Sequence, residues 1–477
     1  METNQNRVIN STIRTFVIIV VGVFLAYFVF SNPISRREGL NLMWILPIFG
    51  CLMIADLLCL FERVQIGIGV YIFLAIVGMK YILMPLLMAL TSGSLHFMKN
   101  PGSMENNEYS VIVMLIELAV SWMSIKYFIL KYDTQIAIAD DVDSSKIANH
   151  TWFLIAILIG ICIIRKDRFI NDVHFFNLSS TETTGSYEQI ILQVLKSFLC
   201  IRVFIFLRKK YKDNNLLRYF VIAILVGLLN CGVFFGINRS LILQTSIATI
   251  AVLINLFPNY KKETLRIMVP LIAIMLLSIT LLRHFGTTFA TTSSTTTTLD
   301  SLSQTLEEYV CGPWSITSTV SAADKFQSST NEVTFIADVV CNFFPFMLPG
   351  LDSIRTFFFN QGTISIMYNS TINNIGSMIP MIGECNFFFG RYLGILADVL
   401  CFIWAMKVLV KSSFQSTRNY SAELKFYYTW VSSLFAFTMC YCMITFLWSW
   451  SKFGMIYFAL SWFNRKIVFL MGGRNIS

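Results

Sequence analysis

The sequence predicts an all-α membrane protein: a polytopic bundle of about eleven or twelve spanning helices with one long external loop that contains short helices. Three observations predict it. Of 477 residues, 56% are hydrophobic and 13% are charged, against about 25% charge in soluble domains. The apolar residues gather in runs near the roughly 17–25 residues that cross the hydrocarbon of a bilayer as a helix. One stretch, from Arg283 to Glu384, breaks that regime for about a hundred residues.

Taken in order, the candidate spans are residues 15–30, 42–61, 66–90, 111–130, 152–164 with its flanks, 190–207, 217–235, 241–256, 267–282, 387–410 and 426–447. A twelfth, 453–463, meets Asn464-Arg465-Lys466 before its apolar character resumes, so it spans at a tilt or lies in the interface. The stretch 17–30 follows a basic N-terminus without a small-residue cleavage site and reads as the first span. The chain divides into 1–282, an insert at 283–386 and 387–477, all of one membrane domain. The insert opens polar and Thr-rich, with the run Thr291–Thr298 read as a flexible loop, and continues mixed and aromatic. Residues 335–349 contain Pro345 and end on Pro349, which favours a short amphipathic or re-entrant helix over a span.

Net charge is +9, which in such a chain reflects cytoplasmic loops and gives no reason to expect nucleic acid. Placing the N-terminus inside puts Arg208-Lys209-Lys210, Lys212, Lys261-Lys262, Lys411, Arg418 and Lys425 in the cytoplasm. Arg36-Arg37, Lys99 and Arg165-Lys166 with Arg168 fall on the other face, where the insert also lies. The 11 cysteines form no CxxC pair and no Cys/His cluster; Cys311, Cys341 and Cys385 beside the insert allow at most one bridge, or none. No P-loop, nucleophile elbow, HExxH or dinucleotide fingerprint occurs, and Asp140-Asp141-Val142-Asp143 lacks the rest of a calcium loop. No metal or cofactor is expected.

Charges inside spans are functional candidates by default: Asp56, Lys80, Glu117, Lys126, Lys196, Arg202 and Asp398. The plainer reading has Lys126 and Arg202 snorkelling from helix ends and Asp56, Lys80 or Glu117 paired in the bundle. A proton or ion pathway requires several of them to converge. Arg239 opens a helix after a tight exit, with Ser240 as a cap; a guanidinium beside free N–H groups suits a phosphate, or a lipid headgroup. Arg283 and His284 stand at the entry of the insert, Arg355 in its middle, Glu384 and Arg391 at its exit. Glu384 is either a helix-start acid or a catalytic base.

Together the plan, the string GINRSLILQTSIATIAVLI and the exit MIPMIGECNFFFGRYLGILADVL resemble the bacterial O-antigen and capsular polysaccharide polymerases, the Wzy family of oligosaccharide repeat unit polymerases. The family's Gly-Glu, Phe-Gly and Gly pattern falls on Gly383, Glu384, Phe389, Gly390 and Gly394; its usual aromatic after Gly-Glu is Asn386 here. The resemblance implies a metal-independent glycosyltransferase of the bacterial cytoplasmic membrane. Such an enzyme moves a growing glycan from undecaprenyl pyrophosphate to a sugar hydroxyl of the next lipid-linked unit. Membrane lipids surround it, and a chain-length regulator is the protein partner it implies. Expulsion of pyrophosphate calls for fixed cations, so Arg239, Arg355 and Arg391, with Arg283, are the binding candidates. Glu384 is the first choice of base and His284 the second. An O-antigen ligase shares this plan and reaction class. A lipid-linked oligosaccharide flippase or transporter instead predicts inverted repeats or broken helices.

Overall fold

The apolar runs fold as helices, and among the described residues of the computed structural model there is no strand. Those residues are 4–32, 39–91, 104–136, 187–233, 239–288, 298–326, 332–343, 379–418 and 420–472, with Ile155 and Gly160. In chain order, α1 is Asn4–Ser31, α2 Ile45–Phe61 and α3 Ile68–Val77. A π-helical segment, Gly78–Leu83, joins α3 to α4, Met84–Leu90. Then come α5 (Met104–Ile136), α6 (Tyr187–Asn214), α7 (Leu217–Gly232), α8 (Arg239–Leu256) and α9 (Lys261–Thr288). The insert contributes α10 (Thr298–Val310), α11 (Pro313–Phe326) and α12 (Glu332–Phe343). The C-terminal part forms α13 (Met381–Thr417), α14 (Ala422–Phe435) and α15 (Met443–Gly472).

Among the described residues, four helical stretches are long and apolar enough to cross a membrane: Thr12–Ser31, Ile68–Leu90, Glu105–Asp133 and Met381–Thr417. A fifth arises if Ile242–Leu256 and Pro258–Met275, bent by 120°, count as one broken span. The expectation of eleven or twelve spans is thus met in part, for identifiable reasons. Residues 42–61 and 217–235 yield helices of only 17 and 16 residues, about 25 Å at 1.5 Å per residue. The run 426–447 is not one helix: α14 ends at Phe435 and α15 begins at Met443. Residues 453–463 lie inside α15, which continues through Asn464-Arg465-Lys466. Segment 152–164, apart from Ile155 and Gly160, and the Thr run before Thr298 lie outside the described residues. So do Pro345 and Pro349, although α12 supplies a short helix over the first part of 335–349.

The π-helical segment has a local cause. Pro85 has no N–H for the Tyr81 carbonyl and its ring crowds that carbonyl. A wider turn just before it accommodates the mismatch. The wider turn carries Lys80 and Tyr81, both fully buried.

Two compact units are present. The first comprises 1–139, 295–414 and 434–448. In it α1 lies along α2, with Thr15 Oγ1 3.0 Å from Cys59 Sγ, while Phe16, Phe24 and Tyr27 on α1 remain exposed. Exposed large apolar side chains at this spacing suit hydrocarbon surroundings. Helix α11 packs on α5 through small polar residues: the Ser110 and Thr317 hydroxyls are 2.7 Å apart, and Asn106 donates to Ser321 Oγ at 3.0 Å. Insert helix α11 is therefore part of the core, with Ile316, Thr317, Thr319 and Val320 fully buried.

The second unit comprises 140–294, 415–433 and 449–477. Here α7 packs between α6 and α8, and Asn230 donates to Thr249 at 2.9 Å. Lys196 donates to the carbonyls of Asn230, at 2.7 Å, and Val233 at the end of α7, where free carbonyls favour a cation. Arg202 does not snorkel; it is buried and lies 3.1 Å from Glu423. Trp430 stacks on Phe453 at 3.9 Å.

Candidate functional site

The string that ends the insert folds into a sharp turn within α13. Gly390 has φ 71° and ψ −179°, a conformation essentially restricted to glycine. It divides α13 into a short arm, 381–389, and a long arm, 391–417. The arms fold back closely: a side chain at Gly394 would meet the Asn386 backbone N and Cα at 3.2 Å, and Asn386 Oδ1 still closer. Gly383 on the short arm lies against Thr319 of α11, where a Cβ would sit 2.7 Å from the Thr319 Cβ. Phe387 and Phe388 bury themselves against Ala322 and Ala323, and Phe335 meets Phe388 and Phe389 edge-on at 5.1 Å. These phenyl rings are packing residues rather than exposed platforms.

Immediately beyond the turn, Arg391 gathers partners from two distant helices. Its Nη2 and Nε donate to the two Asp324 oxygens at 2.6 and 3.2 Å. Nη1 donates to Glu105 at 2.9 Å and Nη2 to Asn106 Oδ1 at 2.6 Å. Tyr109 lies under the guanidinium at 5.9 Å, and its hydroxyl is within donating distance of Asn386 Oδ1 (3.1 Å) and the Arg391 carbonyl (3.0 Å). The Arg391 side chain is 28% exposed, Asp324 39% and Glu105 82%, so both carboxylates reach the surface. One cation between two carboxylates leaves the group net negative. Arg391 is thus not a vacant anion clamp; the set donates and accepts, as a polyhydroxylated ligand requires.

Glu384 is held differently. It is 1% exposed, and its carboxylate accepts the backbone N–H groups of Met443 and of Ile444, the latter at 3.3 Å. It therefore caps the start of α15, across the gap in which residues 436–442 leave the helix. The carbonyls freed by that gap are also engaged: Lys80 Nζ donates to Met439 O at 2.7 Å, and Cys311 Sγ to Cys440 O at 3.1 Å. Lys80 also pairs with Glu117 at 3.2 Å, and Tyr81 donates to the same Glu117 oxygen at 3.3 Å. Asp398, eight residues past the Gly390 turn, is buried, and its Oδ1 has no hydrogen-bond partner.

The turn joining α10 to α11 has its own buried carboxyl. Glu307 Oε1 accepts the Ser315 N–H at 2.7 Å at the start of α11, a helix not among the candidate spans. Burial pushes the Glu307 carboxyl up to about 7, with the Ser315 bonds and Lys80 pulling the other way. Cys311, at φ 51°, makes the left-handed step that closes the turn. Cys311 and Cys385 are both free thiols; the Cys341 side chain lies outside the described residues.

Of the residues singled out from the sequence, the structure brings Glu384 and Arg391 into one turn but onto different functions, one buried and one at the surface. Arg239 is the first residue of α8, and Arg283 and His284 lie in the last turns of α9. The side chains of those three, and all of Arg355, lie outside the described residues. Of the candidate span charges, Asp56 pairs with Lys126 at 2.9 Å, with Trp122 donating to it at 2.8 Å. Sequence reasoning missed Glu105, Asp324 and Tyr109, whose relation to Arg391 is purely tertiary. Among the described residues no three His, Cys, Asp or Glu side chains converge as a metal site. Comparisons with protein-family models, curated proteins and solved structures found no match.

Proposed function

We propose that the chain is a membrane glycosyltransferase that polymerises lipid-linked oligosaccharides, of the kind its insert exit resembles. The observation that carries this reading is the turn at Gly390. The glycines and glutamate of the resembling string form one device, whose outer end is the surface group of Arg391, Asp324, Glu105 and Tyr109. Carboxylates that accept sugar hydroxyls, a guanidinium that donates and an aromatic face make a fitting saccharide environment. In this reading Arg391 orients the acceptor unit and Asp324 is the exposed carboxylate able to take the hydroxyl proton. Glu384 acts from behind, fixing the start of α15, and is a positioning residue unless α15 releases it. Arg239, Arg283 and Arg355 serve the pyrophosphate, with His284 the second choice of base. The proposal retains eleven or twelve spans, a cytoplasmic N-terminus, the insert outside the bacterial cytoplasmic membrane, and undecaprenyl-pyrophosphate-linked units as substrate.

The test is the surface glycan profile of a deletion strain complemented with wild type, Arg391→Ala, Asp324→Asn or Arg239→Ala. Collapse to single repeat units on deletion, restored by wild type and by none of the variants, is expected; an unchanged ladder on deletion overturns the reading. The break at 436–442 and the buried Lys80–Glu117 pair favour a second reading, a flippase for the same lipid-linked units. That reading predicts loss of all surface glycan, with lipid-linked units trapped inside.

A further inference from the structure

Two helices of the insert carry an apolar stripe outward and bury a carboxyl. In α12, Val333, Ile336 and Val340 recur at the i, i+3, i+7 spacing of one helical face, and all three are exposed, Ile336 to 62%. Thr334 and Asp338, one turn apart on the other side, are buried, Asp338 being 4% exposed. A helix in water has the reverse polarity, with its apolar stripe inward and its carboxylates outward. Helix α10 repeats the pattern. Leu299, Leu302 and Tyr309 are exposed and Leu306 is half-buried, whereas Ser303 and Glu307 are buried. Asp300, Gln304 and Glu308 recur at a four-residue spacing as a separate polar row of its sequence.

Neither helix can cross a bilayer. Twelve residues in α12 and 13 in α10 rise about 18 and 20 Å, against roughly 30 Å of hydrocarbon. Both are nonetheless packed on stretches long and apolar enough to span. Helix α10 packs on α4, the end of the 68–90 stretch, which itself exposes Leu83 and Leu90. Helix α12 meets α13 through Phe335, edge-on to Phe388 and Phe389 at 5.1 Å, and α13 exposes Leu393, Leu396 and Leu400 beyond its turn. The stripes thus belong to helices seated on surfaces that already suit hydrocarbon. Apart from Tyr309 they are aliphatic, without the Trp and Arg anchors that centre protein interfaces. A tyrosine suits the headgroup level of a membrane. We propose that α10 and α12 lie in the bilayer interface, with these stripes seated among phospholipid acyl chains. Helix α11, which carries Asp324, is then moored at the membrane by the helix before it and the helix after it. This placement is independent of the reaction the chain performs.

Photolabelling of the full chain tests it. The protein is reconstituted in vesicles of phosphatidylethanolamine and phosphatidylglycerol containing a phosphatidylcholine with an aryl diazirine on one acyl chain. After irradiation, adducts are mapped by mass spectrometry. Adducts on the stripes of α10 and α12 are expected at a yield comparable to that at the exposed Phe16 and Phe24 of α1, while the buried Ile316 and Val320 of α11 stay unlabelled. Labelling of α1 with none on α10 and α12 overturns the proposal; a dimer of the same preparation in size-exclusion chromatography would then assign the stripes to a second copy. Labelling of one helix alone overturns the placement of the other. Absence of labelling on α1 as well overturns the proposal together with the membrane reading of the chain.

Discussion

Glu307→Gln tests how the turn between α10 and α11 is balanced. The Glu307 side chain is buried, Oε1 accepts one N–H, and Oε2 has no partner. Its carboxyl stands at about 7 instead of 4.5, because burial penalises the ionised form. That displacement corresponds to about 3 kcal/mol. The folded chain holds this proton more tightly than the unfolded chain. The associated stability is therefore fully present below pH 4.5 and is lost as pH rises through about 7. Glutamine is a neutral isostere of the protonated acid and accepts the same Ser315 N–H. The variant should be nearly neutral at pH 5 and more stable than wild type by about 2–3 kcal/mol at pH 8.5. Denaturation midpoints of both proteins, in one detergent at pH 5, 7 and 8.5, give the difference directly, since the other titrating groups cancel. An ionised capping carboxylate predicts the opposite sign: a loss of about 1 kcal/mol on substitution, largest at high pH. That outcome would refute the reasoning.

Other substitutions address the turn in α13 and the buried pair. Gly390→Ala forces a side chain into φ 71° with ψ −179° and should cost about 1–3 kcal/mol; Gly394→Ala, pressed against Asn386, should lower the melting temperature too. If Gly390→Ala melts with wild type, the turn is not held in that conformation. Lys80→Met should destabilise by about 3–5 kcal/mol, whereas Lys80→Met with Glu117→Gln should be close to neutral. A double-mutant cycle in thermal melts reads the coupling, and additive losses would show that the two side chains do not depend on each other.

What the sequence made legible follows the physics of each signal. Hydropathy alone located α1, α5 and the 68–90 stretch, because continuous apolar character over more than one bilayer width has few other readings. It failed at 426–447, where residues 436–442 contain no Gly or Pro. Nothing local marks that interruption; it depends on Lys80, Cys311 and Glu384, all far away in the chain. Pro85 is a usable signal for the π-helical segment, masked by the apolar run that surrounds it. At the exit of the insert, the spacing of Gly383, Glu384, Gly390 and Gly394 pointed to the right place. The sequence offers Glu384 as a helix-start acid or a base. It does lie in the first turn of α13, but its carboxylate caps a second helix, α15. The sequence offers Arg391 as a pyrophosphate-binding candidate and gives no sign of its carboxylate partners, because Glu105 and Asp324 lie 286 and 67 residues away.

The helix interruptions and the buried charges of the first unit are one solution to two problems. An interrupted helix leaves backbone N–H and C=O groups without partners, and a buried charge needs a counterpart of opposite polarity. Here they are matched by sign. The acids serve N–H groups: Glu384 at Met443 and Ile444, and Glu307 at Ser315. The lysine serves a carbonyl, that of Met439. Glu384 stands at the start of α15, where the macrodipole adds to its hydrogen bonds, whereas Glu307 serves as an acceptor in its protonated form and Lys80 holds a carbonyl inside the break. Glu384 thus secures the α15 side of the gap and Lys80 a carbonyl within it, and loss of either leaves its own backbone groups unpartnered. Glu384→Gln should therefore be milder than Lys80→Met, because an amide oxygen still accepts an N–H while methionine offers nothing to a carbonyl. The 436–442 segment can change conformation only by releasing such an anchor, and releasing Lys80 also frees Glu117.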